Sequence, residues 1–214
     1  MAGSPPPING VSAAILAGGA SRRMGRNKAL LPFRGAPLIE AVYRRLARLF
    51  PEVLVVTNSP DDYPFLPCRK VPDLFPGMGA FAGLHSAVAH ARHDRVFVVA
   101  CDMPYLNAAV VRHLCALNGD AATVVPVNAS DLLEPLHAVY HRQSLAVMEE
   151  LLASGERSIL ALFPRVPTRV VGREELSPLD PELSSFTNVN TPADYESMEA
   201  GGFDAAGDPE SSAR

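Results

Sequence analysis

The chain is 214 residues long, 48% hydrophobic and 20% charged, with a net charge of −4; this suits one larger globular domain, excludes a disordered chain and argues against nucleic acid as a partner. Cys68, Cys101 and Cys115 are odd in number and lack C-x-x-C spacing, so neither a disulfide framework nor a zinc site is indicated. The start has no secretion-signal pattern, and no apolar run approaches the ~20 residues of a membrane span, so a cytoplasmic protein with no membrane partner is expected.

Residues 1–10 are rich in Pro and Gly and read as a flexible N-terminal segment. Val11-Ser12-Ala13-Ala14-Ile15 reads as a buried strand that runs into Leu16-Ala17-Gly18-Gly19-Ala20-Ser21-Arg22-Arg23-Met24-Gly25-Arg26-Asn27-Lys28. Adjacent glycines let backbone amides approach a nucleotide, and Arg22, Arg23 and Lys28 can counter triphosphate charge. Gly25-Arg26-Asn27-Lys28-Ala29 lacks the hydroxyl of a Walker A loop, and Gly18-Gly19 with Gly25 does not fit G-x-G-x-x-G. Two of the 19 basic residues are lysines; retaining one at 28 suggests a point charge on phosphate, against the alternative of a small-residue surface turn with solvated arginines.

The turn-forming segment 30–37 comes next, followed by Leu38, Val42, Leu46 and Leu49 at helical spacing, with Arg44, Arg45 and Arg48 expected to face water. Pro51 ends that helix, Val53–Thr57 reads as a second strand, and Asn58-Ser59-Pro60 as its loop. A weak strand near Arg69-Lys70-Val71 leads to Asp73 and the glycines at 77, 79 and 83; a helix with Phe81, Leu84 and Val88 on one face follows. Val96–Cys101 reads as a strand ending in Asp102-Met103-Pro104. Val110, Val111, Leu114 and Leu117 mark a helix, Ala122–Pro126 a strand, and Leu136–Tyr140 a strand that pairs antiparallel. Leu145, Met148, Leu151 and Leu152 belong to a helix closed by Ser154-Gly155. Prolines 164, 167, 178 and 181 leave the last third without a long element, until Thr191 offers a cap for a helix starting at Pro192. Residues 199–214, with almost nothing to bury, read as a disordered tail, which leaves 11–198 as a single domain. Alternation of apolar strands with amphipathic helices predicts a Rossmann-like three-layer α/β/α fold, with a mostly parallel sheet and one antiparallel strand.

Ligands of such sheets bind at the carboxyl ends of the strands. Asp102 directly follows an apolar strand and is either a magnesium ligand, completed by substrate phosphates and water, or a cap for the next helix. Asp73 also follows a strand. Asn58 could bond a sugar or base, although Asn before Ser-Pro is more often a turn former. The six histidines show no metal-ligand spacing, and His137 reads as a satisfied core residue. Ser21 has no recognisable base partner, so nucleophilic serine catalysis finds no support.

Taken together, these segments resemble the molybdenum cofactor guanylyltransferases, within the wider group of Rossmann-like nucleotidyltransferases. The resemblance covers residues 11–198 and is carried by Leu16-Ala17-Gly18-Gly19 with Arg23-Met24-Gly25 and Lys28, Asp73 before Gly79–Gly83, Cys101-Asp102-Met103-Pro104, Glu134-Pro135-Leu136, and Phe186–Pro192. Ala80 and Phe81 depart from the family's usual Gly-Pro-Leu-x-Gly. The resemblance implies that Leu16, Ala17, Gly18, Gly19, Lys28, Asn58, Asp73 and Asp102 contact GTP, that Asp102 also binds Mg2+, and that Asn188 and Asn190 face the pterin. Lys28, Arg22, Arg23 and Asp102 would then be the catalytic residues. The implied reaction joins GMP from GTP to the terminal phosphate of molybdenum-bound molybdopterin and releases pyrophosphate. Transient contacts with other proteins of molybdenum-cofactor biosynthesis are implied too. The competing readings are a sister enzyme using CTP, a cytidylyltransferase acting on a sugar or polyol phosphate, and a nucleotide-binding module without catalysis.

Overall fold

The computed structural model describes residues 5–18, 27–117, 119–189, 191 and 194. Gly19, Arg22, Arg23, Asn190 and the segment 199–214, all named in the sequence reading, lie outside the described residues.

Strand β1 (Val11–Leu16) is buried along its whole length. A short hairpin, β2 (Pro32–Phe33) with β3 (Ala36–Pro37), follows and leads into helix α1 (Leu38–Ala47). The chain then forms β4 (Val53–Val56), β5 (Arg69–Val71), α2 (Ala80–His90), β6 (Arg95–Ala100) and α3 (Ala108–Ala116). The remainder comprises β7 (Thr123–Pro126), β8 (His137–His141), α4 (Leu145–Ala153), β9 (Thr168–Val171) and α5 (Arg173–Leu176). Seven strands make one sheet in the order β5-β4-β1-β6-β8-β7-β9. β8 is antiparallel to both neighbours, β6 and β7, and the other pairings in this sheet are parallel. No helix among the described residues is long and apolar enough to cross a membrane.

Because side chains alternate along a strand, an apolar run with both faces covered feeds two cores. In β1, Val11, Ala13 and Ile15 pack with Ile39, Val42 and Leu46 of α1 and Val110, Val111 and Leu114 of α3. Ala14 and Leu16 point the other way, against Phe81, Leu84 and Val88 of α2, in the cluster that also takes Met148 and Leu152 of α4. The result is the three-layer α/β/α arrangement, a mostly parallel sheet with one antiparallel strand. A third, small cluster of Phe33, Leu38, Tyr105 and Val189 joins the hairpin, the segment after β6 and the chain near residue 189.

Several local readings gain their physical reason here. α4 ends in a Schellman motif: Gly155, at φ 88°, donates to the Leu152 carbonyl and Glu156 to that of Leu151. Arg45, expected to face water, instead donates from Nη1 to the Leu106 carbonyl at 2.8 Å. In the proline-broken last third, β9 pairs with β7, and its Thr168 hydroxyl accepts from that of Thr123 at 2.8 Å. Thr191 and Asp194 cap each other reciprocally, side chain to backbone amide in both directions.

His137 corrects the sequence reading. It is a core residue, fully buried between the rings of Phe97 and Phe186, with centroid separations of 5.1 and 4.9 Å. Among the described residues neither ring nitrogen has a hydrogen-bond partner, so it is packed but not satisfied. Burial pushes its imidazole down to about 3, with Asp180 opposing weakly. The unfolded chain takes up this proton near 6.5 and the folded one only near 3, so His137 removes stability progressively as pH falls through that window. Replacing it with Phe should flatten the acid side of the stability profile: between pH 6.5 and 4 the melting temperature should fall less in His137→Phe than in the parent chain.

Candidate active site

β1 leaves the sheet between β4 and β6, and its end is fastened on both sides. The Ala17 amide donates to the Val56 carbonyl at 2.9 Å, and the Cys101 amide donates to the Leu16 carbonyl at 3.2 Å. Beyond that edge lies a cleft of about 190 Å³ lined by residues from several segments, among them Ala17, Gly18, Lys28, Asn58, Asp73 and Cys101. Gly18 is the open part of the cradle, since a Cβ built there meets nothing within 4 Å among the described residues. Leu16 contributes from behind: its side chain belongs to the core on the α2 side, and its carbonyl is occupied by Cys101.

Asn58 and Asp73, at the ends of neighbouring strands, form a reciprocal pair. Asn58 Nδ2 donates to Asp73 Oδ2 at 3.0 Å, and the Asp73 amide donates to Asn58 Oδ1 at 2.9 Å. The turn-forming role that Asn58 might have had falls to Thr57, whose hydroxyl accepts from the Ser59 amide at 3.1 Å. Burial pushes the Asp73 carboxyl up, and the Asn58 bond partly offsets this.

Asp102 is released from its competing role as a helix cap. The N-cap of α3 is Asn107, whose Oδ1 accepts from the Ala109 amide at 2.8 Å. Asp102 follows Cys101 at the margin of the cleft; burial raises its carboxyl, and the Lys28 ammonium, close enough to act on it, lowers it. Lys28 lines the cleft, and its charge reaches Asp102, the residue after the cleft-lining Cys101. The Asp102 carbonyl also accepts from the Val189 amide at 2.8 Å, which brings exposed Asn188 alongside.

Sequence reasoning gave no role to Glu134. The antiparallel register of β6 on β8 pairs Val98 with Ala138 and Val99 with His137, and it continues as the Ala100 amide donates to the Leu136 carbonyl at 3.1 Å. There the ladder gives way to turns: the His137 amide donates to the Glu134 carbonyl at 3.3 Å and the Met103 amide to that of Ala100 at 3.4 Å, which leaves Glu134 within electrostatic reach of Asp102. Burial raises the Glu134 carboxyl first of all; bonds from the Leu136 amide and the Asn128 side chain lower it, and Asp102 raises it again. Asn27, Asp62 and Tyr63 also went unread although they line the cleft. The signal for Asn27 was present, because Asn ahead of a short helical turn is a capping pattern.

Among the described residues no group of three or more His, Cys, Asp or Glu side chains converges on a metal position. The donor set suits magnesium, a hard cation that takes one or two carboxylates and completes its shell with phosphate oxygens and water. Asp102 is the carboxylate on which the Lys28 charge acts, and Glu134 is within electrostatic reach of it.

The description of one protein family, the MobA-like NTP transferase domain, matches residues 13–170. The chain belongs to that family. MobA-like relatives include a Carboxydothermus hydrogenoformans protein named "Probable molybdenum cofactor guanylyltransferase", 36% identical over 191 residues, covering 89% of this chain and 96% of that one. A Desulfosudis oleivorans molybdenum cofactor guanylyltransferase is 34% identical over 194 residues, covering 90% and 96%. The crystal structure of molybdopterin-guanine dinucleotide biosynthesis protein A from Archaeoglobus fulgidus superposes with a TM-score of 0.76 at 30% identity, over 88% of this chain and 97% of that one. As a MobA-like NTP transferase, this chain is a nucleotidyltransferase.

The wall between Asp73 and α2 carries the departure from the family pattern. Gly77 and Gly79 have φ of 86° and 72°, values that favour glycine. Ala80 is the exposed first residue of α2, where the amide has no carbonyl to bond within the helix and proline is tolerated. Phe81 is fully buried and fills the α2-side core. Ala80→Pro should therefore stabilise the chain by about 0.4–1 kcal/mol through its unfolded state, read as a rise of about 1–4 °C in melting temperature.

Proposed function

We propose that this nucleotidyltransferase moves GMP from GTP to the terminal phosphate of molybdenum-bound molybdopterin and releases pyrophosphate, with Mg2+ held at Asp102. The observation that carries the reading is the pairing of Lys28, which lines the cleft with Gly18, with Asp102, which follows the cleft-lining Cys101 and whose carboxyl the Lys28 ammonium lowers. Names of relatives covering nearly the whole chain support guanine as the base and the molybdenum cofactor as the acceptor.

In this reading the acceptor phosphate oxygen attacks the α-phosphorus in line. A bond forms between them as the bond from the α-phosphorus to the oxygen bridging to the β-phosphate breaks, and the electron pair leaves with pyrophosphate. Lys28 stabilises charge growing on the departing phosphates, and the amides around Gly18 hold them without side-chain interference. Asp102 would supply the oxygen donor for the cation, and Glu134, within electrostatic reach of Asp102, a second hard donor. Bound there, magnesium would neutralise phosphate charge and hold substrate oxygens in position. No protein nucleophile is required. Asn58 and Asp73 form the wall assigned to the nucleoside, and Asn188, beside Asp102, the edge assigned to the pterin, since an amide can both donate to and accept from a heterocycle. Gly19, Arg22, Arg23 and Asn190 enter this reading on sequence alone.

Pyrophosphate release, measured with GTP or CTP in the presence of Mg2+ and molybdenum-charged molybdopterin, tests the assignment. GTP should be the faster donor. A faster reaction with CTP would move the chain to the cytidylyltransferase reading. Asp102→Asn should lower turnover by about 10²–10³-fold without lowering the melting temperature, because burial already disfavours the charged carboxylate. Near-normal turnover in that variant would overturn the metal assignment.

A further inference from the structure

Lys28 opens a helical turn of only three residues, Lys28–Leu30. Such a turn has little stability of its own, so the aim of its lysine must be fixed from outside. On one side of Lys28 lies Ala29, 1% exposed and packed in the α1-side core. On the other side lies Asn27, whose amide is used at three points. Its Oδ1 accepts from the Ala29 amide at 3.2 Å; its Nδ2 donates to Asp62 Oδ2 at 3.2 Å and to the Tyr63 hydroxyl at 3.0 Å. The Tyr63 hydroxyl in turn reaches the Ala17 carbonyl at 3.4 Å, from a ring that is 1% exposed.

We infer that Asn27 is a positioning residue: with Tyr63 it ties the base of Lys28 to Ala17, so that the ammonium and the backbone cradle hold one spacing across the phosphate position. A cap alone would need only Oδ1. The two donor contacts do nothing for the turn itself, and the carboxylate of Asp62, an acceptor when ionised, fixes which way the Asn27 amide faces. Both ends of the relay line the cleft, as do Asp62 and Tyr63. The ordering matters because the backbone origin sets where the ammonium can reach, and an origin fixed in advance leaves less to be ordered when an anion engages it. The inference rests on the proposed contact of Lys28 with GTP phosphates.

The test is a double-mutant cycle on GTP affinity, measured by titration calorimetry with Mg2+ present and no acceptor. Asn27→Ser keeps a hydroxyl that caps Ala29 but loses both donor contacts. It should weaken GTP by about three- to tenfold, the size of coupling expected between neighbours in one network, and, since both bonds exist before GTP binds, it should also lower the melting temperature by a few degrees. Tyr63→Phe, which removes one link of the relay, should weaken GTP by about threefold, at the low end of coupling within such a network. In a Lys28→Ala background, Asn27→Ser should cost no further affinity. If Lys28→Ala weakens GTP and Asn27→Ser does not, the positioning role is overturned while the phosphate role of Lys28 stands. If Asn27→Ser is equally harmful with and without Lys28, it acts by another route and the inference falls. If Lys28→Ala leaves GTP affinity unchanged, the reading of Lys28 itself fails and this inference with it.

Discussion

Two backbone hydrogen bonds hold the end of β1 between its neighbours, one from the Ala17 amide to Val56 and one from the Cys101 amide to Leu16. Each polar contact in the cleft is referred to that edge. A strand bonded on both sides cannot shift along either neighbour without turning its side chains to the wrong face, and here both faces are packed, Ala13 and Ile15 on one and Ala14 and Leu16 on the other. The position at which the chain leaves the sheet is thus set by two cores at once. Ala17, Gly18 and Asp102 inherit their relative placement from it.

Against this rigid frame the carboxylates are costly. Burial raises the carboxyls of Asp73, Asp102 and Glu134, and none of these groups is needed to hold the sheet. Lys28 relieves Asp102, Asn58 relieves Asp73, and Asn128 with the Leu136 amide relieves Glu134. Desolvated acids held in place by neighbours are poised for a cation or a polar substrate, where their charge is worth more than in water. The sign differs for His137, packed between the rings of Phe97 and Phe186, where burial pushes the imidazole down and the Asp180 charge opposes it. Acid should therefore act on the molecule in two directions, as protonation is favoured at Asp73, Asp102 and Glu134 and resisted at His137 in the core.

The last described part of the chain shows how a proline-rich stretch becomes structural. Asp180 accepts from the amides and hydroxyls of Ser184 and Ser185. Ser185 accepts from the Asn107 amide at the start of α3, and Asn107 donates to the Leu179 carbonyl at 2.9 Å. These contacts dock the segment beside the turn that carries Asp102, so the Val189 amide can reach the Asp102 carbonyl. None of them has a period, and for that reason the segment could not be read as an element.

What the linear order of residues determined by itself was whatever repeats or stands next to a strand end. Apolar runs such as Val96–Cys101 marked the buried strands, Leu38, Val42 and Leu46 marked a covering helix, and Lys28, Asn58, Asp73 and Asp102 could be named because each follows such a run or a glycine turn. These signals are local, arising from side-chain alternation and backbone freedom within a few residues. The tertiary structure alone decided which of two local roles each polar residue takes. Asp102 is not taken up as a cap because Asn107 caps α3, Asn58 pairs with Asp73 because β4 and β5 are neighbours, and Glu134 comes within electrostatic reach of Asp102 through the turns beyond the paired ends of β6 and β8. His137 shows the same limit, since its burial was legible from its apolar strand but its lack of a partner depends on Phe97 and Phe186, distant in the chain. A hydrogen bond between segments is fixed by strand order and register, and these are set by packing across the whole sheet.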